Sequence, residues 1–301
     1  TGKGSRKHKT PFILQGKQSD PLAAVIFNDF TYLCELEKYL DRLQWMNLLK
    51  TFLRFSTSVW LMAQMKMTII IRDKLLDVLS SEAEVDIDDL WVDNAIQNRT
   101  EGLFRPTTTK TKQIEKYVQH YIKARSELNV LVAIVEKYSG NDWGKKSITL
   151  HSGGASDLSI LELMQTGLDI RSELNAELDG LTLRKGLTRH CEKYVAWHQG
   201  VPPTKGPGKN FCEYLLVLRK KHEGDEDGGY LVIPSKQKNA GVTIFPGNLM
   251  LALMTHLAWR KNDRKPIIFA DIEAHFRKYG LDFSEKGDIR PKLIEAMQDM
   301  G

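Results

Sequence analysis

The chain is expected to be mainly α-helical: a multi-helix body followed by a distinct C-terminal helical unit, with at most a small β-hairpin. Three observations predict this. Apolar residues recur at steps of three and four over long stretches that lack glycine and proline. Strand-like patterns are confined to a few short runs. The 301 residues are 42% hydrophobic and 27% charged, the balance of a soluble globular protein with one large domain or two modest ones.

The elements follow in order. Between Leu22 and Leu40, apolar residues fall at 22, 25, 26, 33, 36 and 40, partly at helical spacing. Leu43 to Leu79 then runs 37 residues without Gly or Pro, and predicts one long helix or two with a kink. Its apolar positions spread around the whole circumference near Trp60–Ile71, so other helices should enclose it there. Met46, Met62, Met65 and Met67 read as gap-filling core. An acidic run follows, with Glu82, Glu84, Asp86, Asp88, Asp89 and Asp93 and no base. Arg105-Pro106-Thr107-Thr108-Thr109 is a breaker. After it, Ile114, Tyr117, Val118, Tyr121, Leu128, Leu131, Val132 and Val135 mark a helix that should end near Tyr138-Ser139-Gly140.

Gly140–Ser156 reads as a loop. Helices are expected over Asp157–Leu178, with Ser156 or Asp157 as N-cap, and over Leu181–Gln199. Gly200–Asn210 is rich in Gly and Pro and reads as a linker. Phe211–Lys221 and Tyr230–Ile233 then flank an acidic turn and fit a hairpin, although the first run fits a helix equally well. The last 56 residues order as helix, the β-prone stretch Pro266-Ile267-Ile268-Phe269, a helix over Asp271–Tyr279 closed by Gly280, a polar turn and a third helix. That is the order of a winged-helix core, with the wing expected just beyond Gly301. The sequence thus divides into a basic tail 1–20, a helical body 21–200, a linker with the hairpin 201–245, and a winged-helix-like module 246–301.

The formal charge is +5, and its location matters more than its size. Lys3, Arg6, Lys7, Lys9 and Lys17 against Asp20 place +4 of it in the first 20 residues. Phosphate neutralisation supplies most non-specific nucleic-acid affinity, so candidate contacts must be basic clusters. These are Lys3, Arg6, Lys7 and Lys9 in the tail, Lys112, Lys116 and Lys123 on the helix away from its apolar stripe, and Lys286, Arg290 and Lys292 on the last helix. The C-terminal module sets nine bases against eight acids, which favours docking to another subunit over reading DNA.

Catalytic patterns are missing. Thr1-Gly2-Lys3-Gly4-Ser5 and Gly206-Pro207-Gly208-Lys209 lack the spacing with which a phosphate loop cradles its ligand. His151-Ser152-Gly153-Gly154-Ala155-Ser156 is no nucleophile elbow. His190, Cys191, His198 and Cys212 match no metal-ligand pair, so neither metal nor cofactor is expected. Three scattered Cys fit a reducing cytoplasm. No apolar run reaches the roughly 18 residues of a membrane span, so no membrane partner is expected.

The aromatic, Met-rich helix Leu43–Leu79, the Phe104-Arg105-Pro106-Thr107-Thr108-Thr109 junction and the closing stretch from Phe245-Pro246-Gly247 through Asp271–Gly280 to Arg290-Pro291 together give a layout. It resembles helical accessory subunits of prokaryotic antiphage and DNA-restriction defence modules, which carry a winged-helix-like C-terminal unit. The resemblance implies a non-enzymatic cytoplasmic subunit that scaffolds or docks a larger ATPase or nuclease, with DNA reached mainly through the complex. It carries no catalytic residues over. Two other readings compete: a winged-helix DNA-binding protein or regulator, and an enzyme whose active site is assembled from distant residues.

Overall fold

The computed structural model describes residues 20–81, 85, 87–104, 113–141, 143, 147–149, 157–192, 207–220, 228–234, 242–261, 266–283 and 289–299. Among them are ten helices and two small two-stranded sheets, so the chain is mainly α-helical. The helices are α1 (Pro21–Leu36), α2 (Arg42–Ser80), α3 (Asp89–Asn98), α4 (Gln113–Ser139), α5 (Ile160–Glu177), α6 (Gly180–His190), α7 (Pro207–Leu215), α8 (Asn248–Lys261), α9 (Phe269–Lys278) and α10 (Ile289–Asp299). The strands β1 (Ser147–Thr149) and β2 (Asp157–Ser159) pair in parallel. The strands β3 (Val232–Pro234) and β4 (Val242–Ile244) pair antiparallel, with Ile233 opposite Thr243.

The long uninterrupted pattern becomes one continuous helix, α2, of 39 residues. Met62, Ala63, Met65, Met67, Thr68, Ile69 and Ile71 are all buried, as an all-round apolar stretch requires. Met46 departs from that expectation: it is 46% exposed, because the first turns of α2 are covered on one side only. α4 stops after Ser139, where Gly140 takes φ of +69°, the left-handed conformation that ends helices. Asp88 caps α3 by accepting a hydrogen bond from the Trp91 amide at 2.9 Å, so the acidic run turns into a helix N-terminus. The cap of α5 is Ser159, which accepts from the Glu162 amide at 3.0 Å. The expected caps Ser156 and Asp157 lie earlier: Asp157 is in β2, and 156 is outside the described residues.

The Gly- and Pro-rich stretch is only partly a linker. Pro207 opens α7, a position where its missing N–H is no loss, and Phe211, Cys212 and Leu215 give that helix an apolar side. The run 211–221 takes the helical alternative through Leu215 and makes only an isolated parallel bridge, Arg219 to Val232, so the expected hairpin between it and 230–233 does not form; the antiparallel partner of Val232–Pro234 is Val242–Ile244. At the C-terminal end, Pro266–Ile268 forms no strand; Ile268 is extended and serves as the N-cap of α9. The Ile268 amide donates to the Asp271 carboxylate at 2.9 Å, which fixes the start of α9. α9 closes at Gly280, where φ is +80° and an added Cβ would stand 2.1 Å from the Thr100 carbonyl oxygen.

Two compact units divide the described residues, each assembled from separated stretches, and the division falls within α2 and within α4. In the unit built from Lys66–Gln97 and 121–192, α2, α4, α5 and α6 share a core of Ile71, Leu75, Leu131, Val135, Leu163 and Leu187. α5 approaches α2 closely at Gly167, where a Cβ would meet Val78 at 3.2 Å. Glu127 is buried there against Arg72 at 3.1 Å and Lys123 at 3.6 Å. The other unit contains α1, the first part of α2 and everything described from Pro207 onward. Its core is aromatic. The Phe55 and Tyr279 rings lie 5.1 Å apart and those of Phe276 and Phe283 5.2 Å apart.

Candidate functional site

The second unit holds α1 in place from one side and leaves a neighbouring face toward a groove. The anchoring side is polar and buried. Asp29 is 1% exposed in the third turn of α1 and accepts a hydrogen bond from the Tyr279 hydroxyl at 2.6 Å. His275 Nε2 stands 3.0 Å from the same carboxylate oxygen, and the His275 and Tyr279 rings meet edge to face. Burial, together with the Asp29 charge, pushes the Tyr279 hydroxyl far above its ordinary pKa, so it remains a donor. Arg260 adds a hydrogen bond to the Asn28 carbonyl at 2.7 Å and lies over the Tyr32 ring. The Trp45 indole donates to the Leu33 carbonyl at 2.7 Å and ties the start of α2 to the same helix.

On a neighbouring face, α1 presents Ala23, Ile26, Phe27 and Phe30 toward Phe52, Leu53, Ser56, Thr57 and Trp60 of α2. Between them is an open groove of about 440 Å³. Phe52 and Ser56 form its buried floor, whereas Phe27 (68%), Leu53 (42%) and Phe30 (37%) form an exposed apolar rim. Phe30 stacks on Phe52 with ring centroids 6.5 Å apart. Thr57 donates to the Leu53 carbonyl within α2 and is hydrogen-bonded to the Tyr214 hydroxyl, so α7 braces this margin. At the far end, the buried guanidinium of Arg99 lies 5.4 Å from the centre of the Trp60 ring; burial lowers its pKa to about 10, well within the charged range at neutral pH.

The exposed apolar positions of α2 are Leu43, Met46 and Leu53. With Lys50, Thr57 and the partly buried Trp60 they step three, four, three, four and three residues along one face of the helix, the spacing of a helix that packs lengthwise against another. Leu43 (71%) extends this stripe past the groove toward the helix start. On α1, Ala23, Phe27, Phe30 and Cys34 step four, three and four. Two adjacent seams with exposed aromatic and aliphatic side chains offer van der Waals and hydrophobic contact to a third helix.

The residues singled out from sequence are placed as follows. Lys3, Arg6, Lys7, Lys9, Lys112 and Lys286 lie outside the described residues, and Lys116 lies on α4. Lys123 is on α4 in the other compact unit and pairs with Glu127. Arg290 and Lys292 share the exposed first turn of α10. There the Arg290 guanidinium meets Glu273 at 3.4 Å and the Phe269 ring at 5.5 Å. Of the weighed metal residues, His190 is exposed, Cys191 and Cys212 are buried in different units, and 198 is outside the described residues. Among the described residues no group of three or more His, Cys, Asp or Glu is arranged to hold a metal ion, and no helix is long and apolar enough to cross a membrane. No family model, curated protein or solved structure matches the chain. The expectations from sequence do not mark the groove, because they place Met46 in the core and enclosure by other helices only near Trp60–Ile71; the three-four repeat from Leu43 to Trp60 carries the signal.

Proposed function

We propose that this protein is a docking subunit without catalytic activity of its own, and that the α1–α2 groove receives a helical part of a larger protein. One observation carries the reading: Phe27, Phe30 and Leu53 are held at an exposed rim by a buried framework that fixes α1. Exposed apolar side chains on a rigidly anchored helix are what a helix-in-groove interface requires. The larger protein is an ATPase or nuclease of a prokaryotic DNA-defence assembly in the cytoplasm, the setting that the helical layout resembles. The order of α8, α9 and α10 supports a winged-helix-like module at the C-terminal end. The engagement of Arg290 by Glu273 and Phe269 favours docking over phosphate contact for α10.

The test is co-expression with the products of neighbouring genes, followed by reconstitution from purified components. A stable complex with one larger product is expected, lost in Phe27→Glu and Leu53→Glu and retained in Gly186→Ala on the exposed side of α6. A monodisperse chain that binds none of those products, or a complex indifferent to both rim substitutions, would refute the proposal.

A further inference from the structure

We propose that the exposed face of α6, through Lys185 and Arg189, contacts the phosphate backbone of duplex DNA without reading its sequence. The site is separate from the groove and lies in the other compact unit. α6 packs through Leu183 and Leu187, whereas 181, 182, 184–186 and 188–190 are exposed. Gly180–His190 carries Arg184, Lys185, Arg189 and His190 and no Asp or Glu. Other elements of the same unit have the opposite sign: α5 sets Glu162, Asp169, Glu173 and Glu177 against Arg171, and α3 opens with Asp89 and Asp93. The basic charge is therefore concentrated on one helix and on its solvent side.

Arg184 is engaged within the chain: it meets Asp77 at 3.4 Å and the Ser80 hydroxyl at 3.1 Å. Lys185 and Arg189 form no ion pair among the described residues. Asp179 is held first by its hydrogen bonds to Thr182 and feels the Lys185 charge least of its influences. Glu192, three residues past Arg189, forms no ion pair with it. Arg189 and His190 in the last turn suit the helix dipole. Lys185 in the middle of the helix gains nothing from it, and like charges one turn apart at 185 and 189 disfavour the helix. An anion from outside the chain accounts for a pair of charges that costs helix stability and has no carboxylate within the chain.

The chemistry of the face selects a phosphate backbone. Lys185 and Arg189 stand about 6 Å apart along the helix axis, close to two base-pair rises of about 3.4 Å on one strand. The Asp179 carboxylate at the N-cap repels a phosphate from the helix start, so contact falls on 184–190. Leu181 is the one large apolar side chain exposed on α6, and the helix has no aromatic residue. The face thus lacks the central anchors of a protein interface and carries the lysine that such interfaces avoid. A helix about 10–12 Å across, exposed over a wide arc, fits the mouth of a B-form major groove about 12 Å wide. The deep, narrow major groove of A-form RNA does not admit it.

The experiment titrates the full chain with fluorescent DNA duplexes of about 20 base pairs, one A·T-rich and one G·C-rich, over about 50–200 mM salt. An RNA duplex of the same length and polyglutamate are the competing polyanions. Both DNA duplexes should bind equally. The double variant Lys185→Gln, Arg189→Gln should bind at least about tenfold more weakly at about 50 mM salt, and its slope of log affinity against log salt should fall in magnitude by about two. Lys209→Gln, which removes one exposed lysine from the other unit, should leave affinity and slope unchanged. Circular dichroism melts establish that each variant folds, and Lys185→Glu repeats the test if the double variant does not. Absence of DNA binding, or an unchanged slope in the double variant, would overturn the proposal. So would an equal loss in Lys209→Gln, a preference between the two DNA sequences, or RNA or polyglutamate binding as tightly as DNA. Capture of the larger protein through Phe27 and Leu53 is measured separately, so this proposal and the docking reading can each fail alone.

Discussion

Asp29 shows how much one residue decides in this fold. A carboxylate buried to 1% is tolerated where polar groups meet it, and the Tyr279 hydroxyl and His275 both do. Removing one neutral donor should leave Asp29 with His275, so Tyr279→Phe is expected to destabilise the protein by about 1–3 kcal/mol. Asp29→Ala strips both partners at once and leaves a hole in α1's attachment, for which a loss of about 3–5 kcal/mol is expected. Urea unfolding of the two variants and their double mutant measures the coupling; simple additivity would show that the three groups do not act as one cluster. Gly280 and Gly186 form a second pair with opposite expectations. Gly280 has positive φ and no space for a Cβ beside Thr100, so Gly280→Ala should cost more than about 1 kcal/mol. At Gly186, inside α6, nothing lies within 4 Å of the added methyl, and Gly186→Ala should stabilise by about 0.5–1 kcal/mol. Thermal melts that move in the same direction for both would refute the assignment.

At the scale of elements, periodicity made the long helices legible and composition misled where it stood in for periodicity. α2 and α4 were visible because Gly and Pro are absent and the apolar steps repeat, and the end of α4 was marked by Gly140. α7 was hidden by the prolines and glycines before it, although Pro207 suits a first helical position. α3 was hidden in an acidic run whose last members cap and open a helix. The groove rim was readable from spacing within α2, but the anchor beneath it was not. Asp29 and Tyr279 are 250 residues apart, and no local pattern says that α1 meets α9. Caps also supply a pH-dependent prediction. Asp179 accepts from the Thr182 amide at 2.6 Å, and the backbone and side-chain hydrogen bonds to Thr182 lower its pKa below the ordinary 3.8. A carboxylate whose pKa is lower in the folded state contributes fully above 3.8 and loses its contribution as pH falls through its folded value. The Thr182 amide resonance should therefore titrate below pH 3.8, and Asp179→Asn should remove that titration while retaining most of the cap. A midpoint at or above 3.8 would refute the cap's charge dependence.

For the molecule as a whole, stability and docking should be separable, and this distinguishes an interaction surface from an ordinary core. Met62 and Phe55 are buried to 3% and 0%, so Met62→Ala and Phe55→Ala should cost about 2–5 kcal/mol each through lost burial and cavity formation. Phe27 on α1 and Leu53 on α2 lie in the same unit as Phe55 and Met62, yet they keep 68% and 42% of their surface exposed. Glutamate at Phe27 should change unfolding free energy by less than about 0.5 kcal/mol and at Leu53 by less than about 1 kcal/mol, because the new carboxylate stays in water at the rim. It should also raise solubility by interrupting the apolar rim. The prediction thus has a crossed form. Core variants unfold at lower denaturant but, below their transition, bind the larger protein with unchanged affinity; rim variants unfold as the parent does and do not bind. Denaturant titration and equilibrium binding of all four variants measure it. A loss above about 2 kcal/mol in Leu53→Glu would mean that the rim is covered by the chain itself, and the groove would then be part of the core.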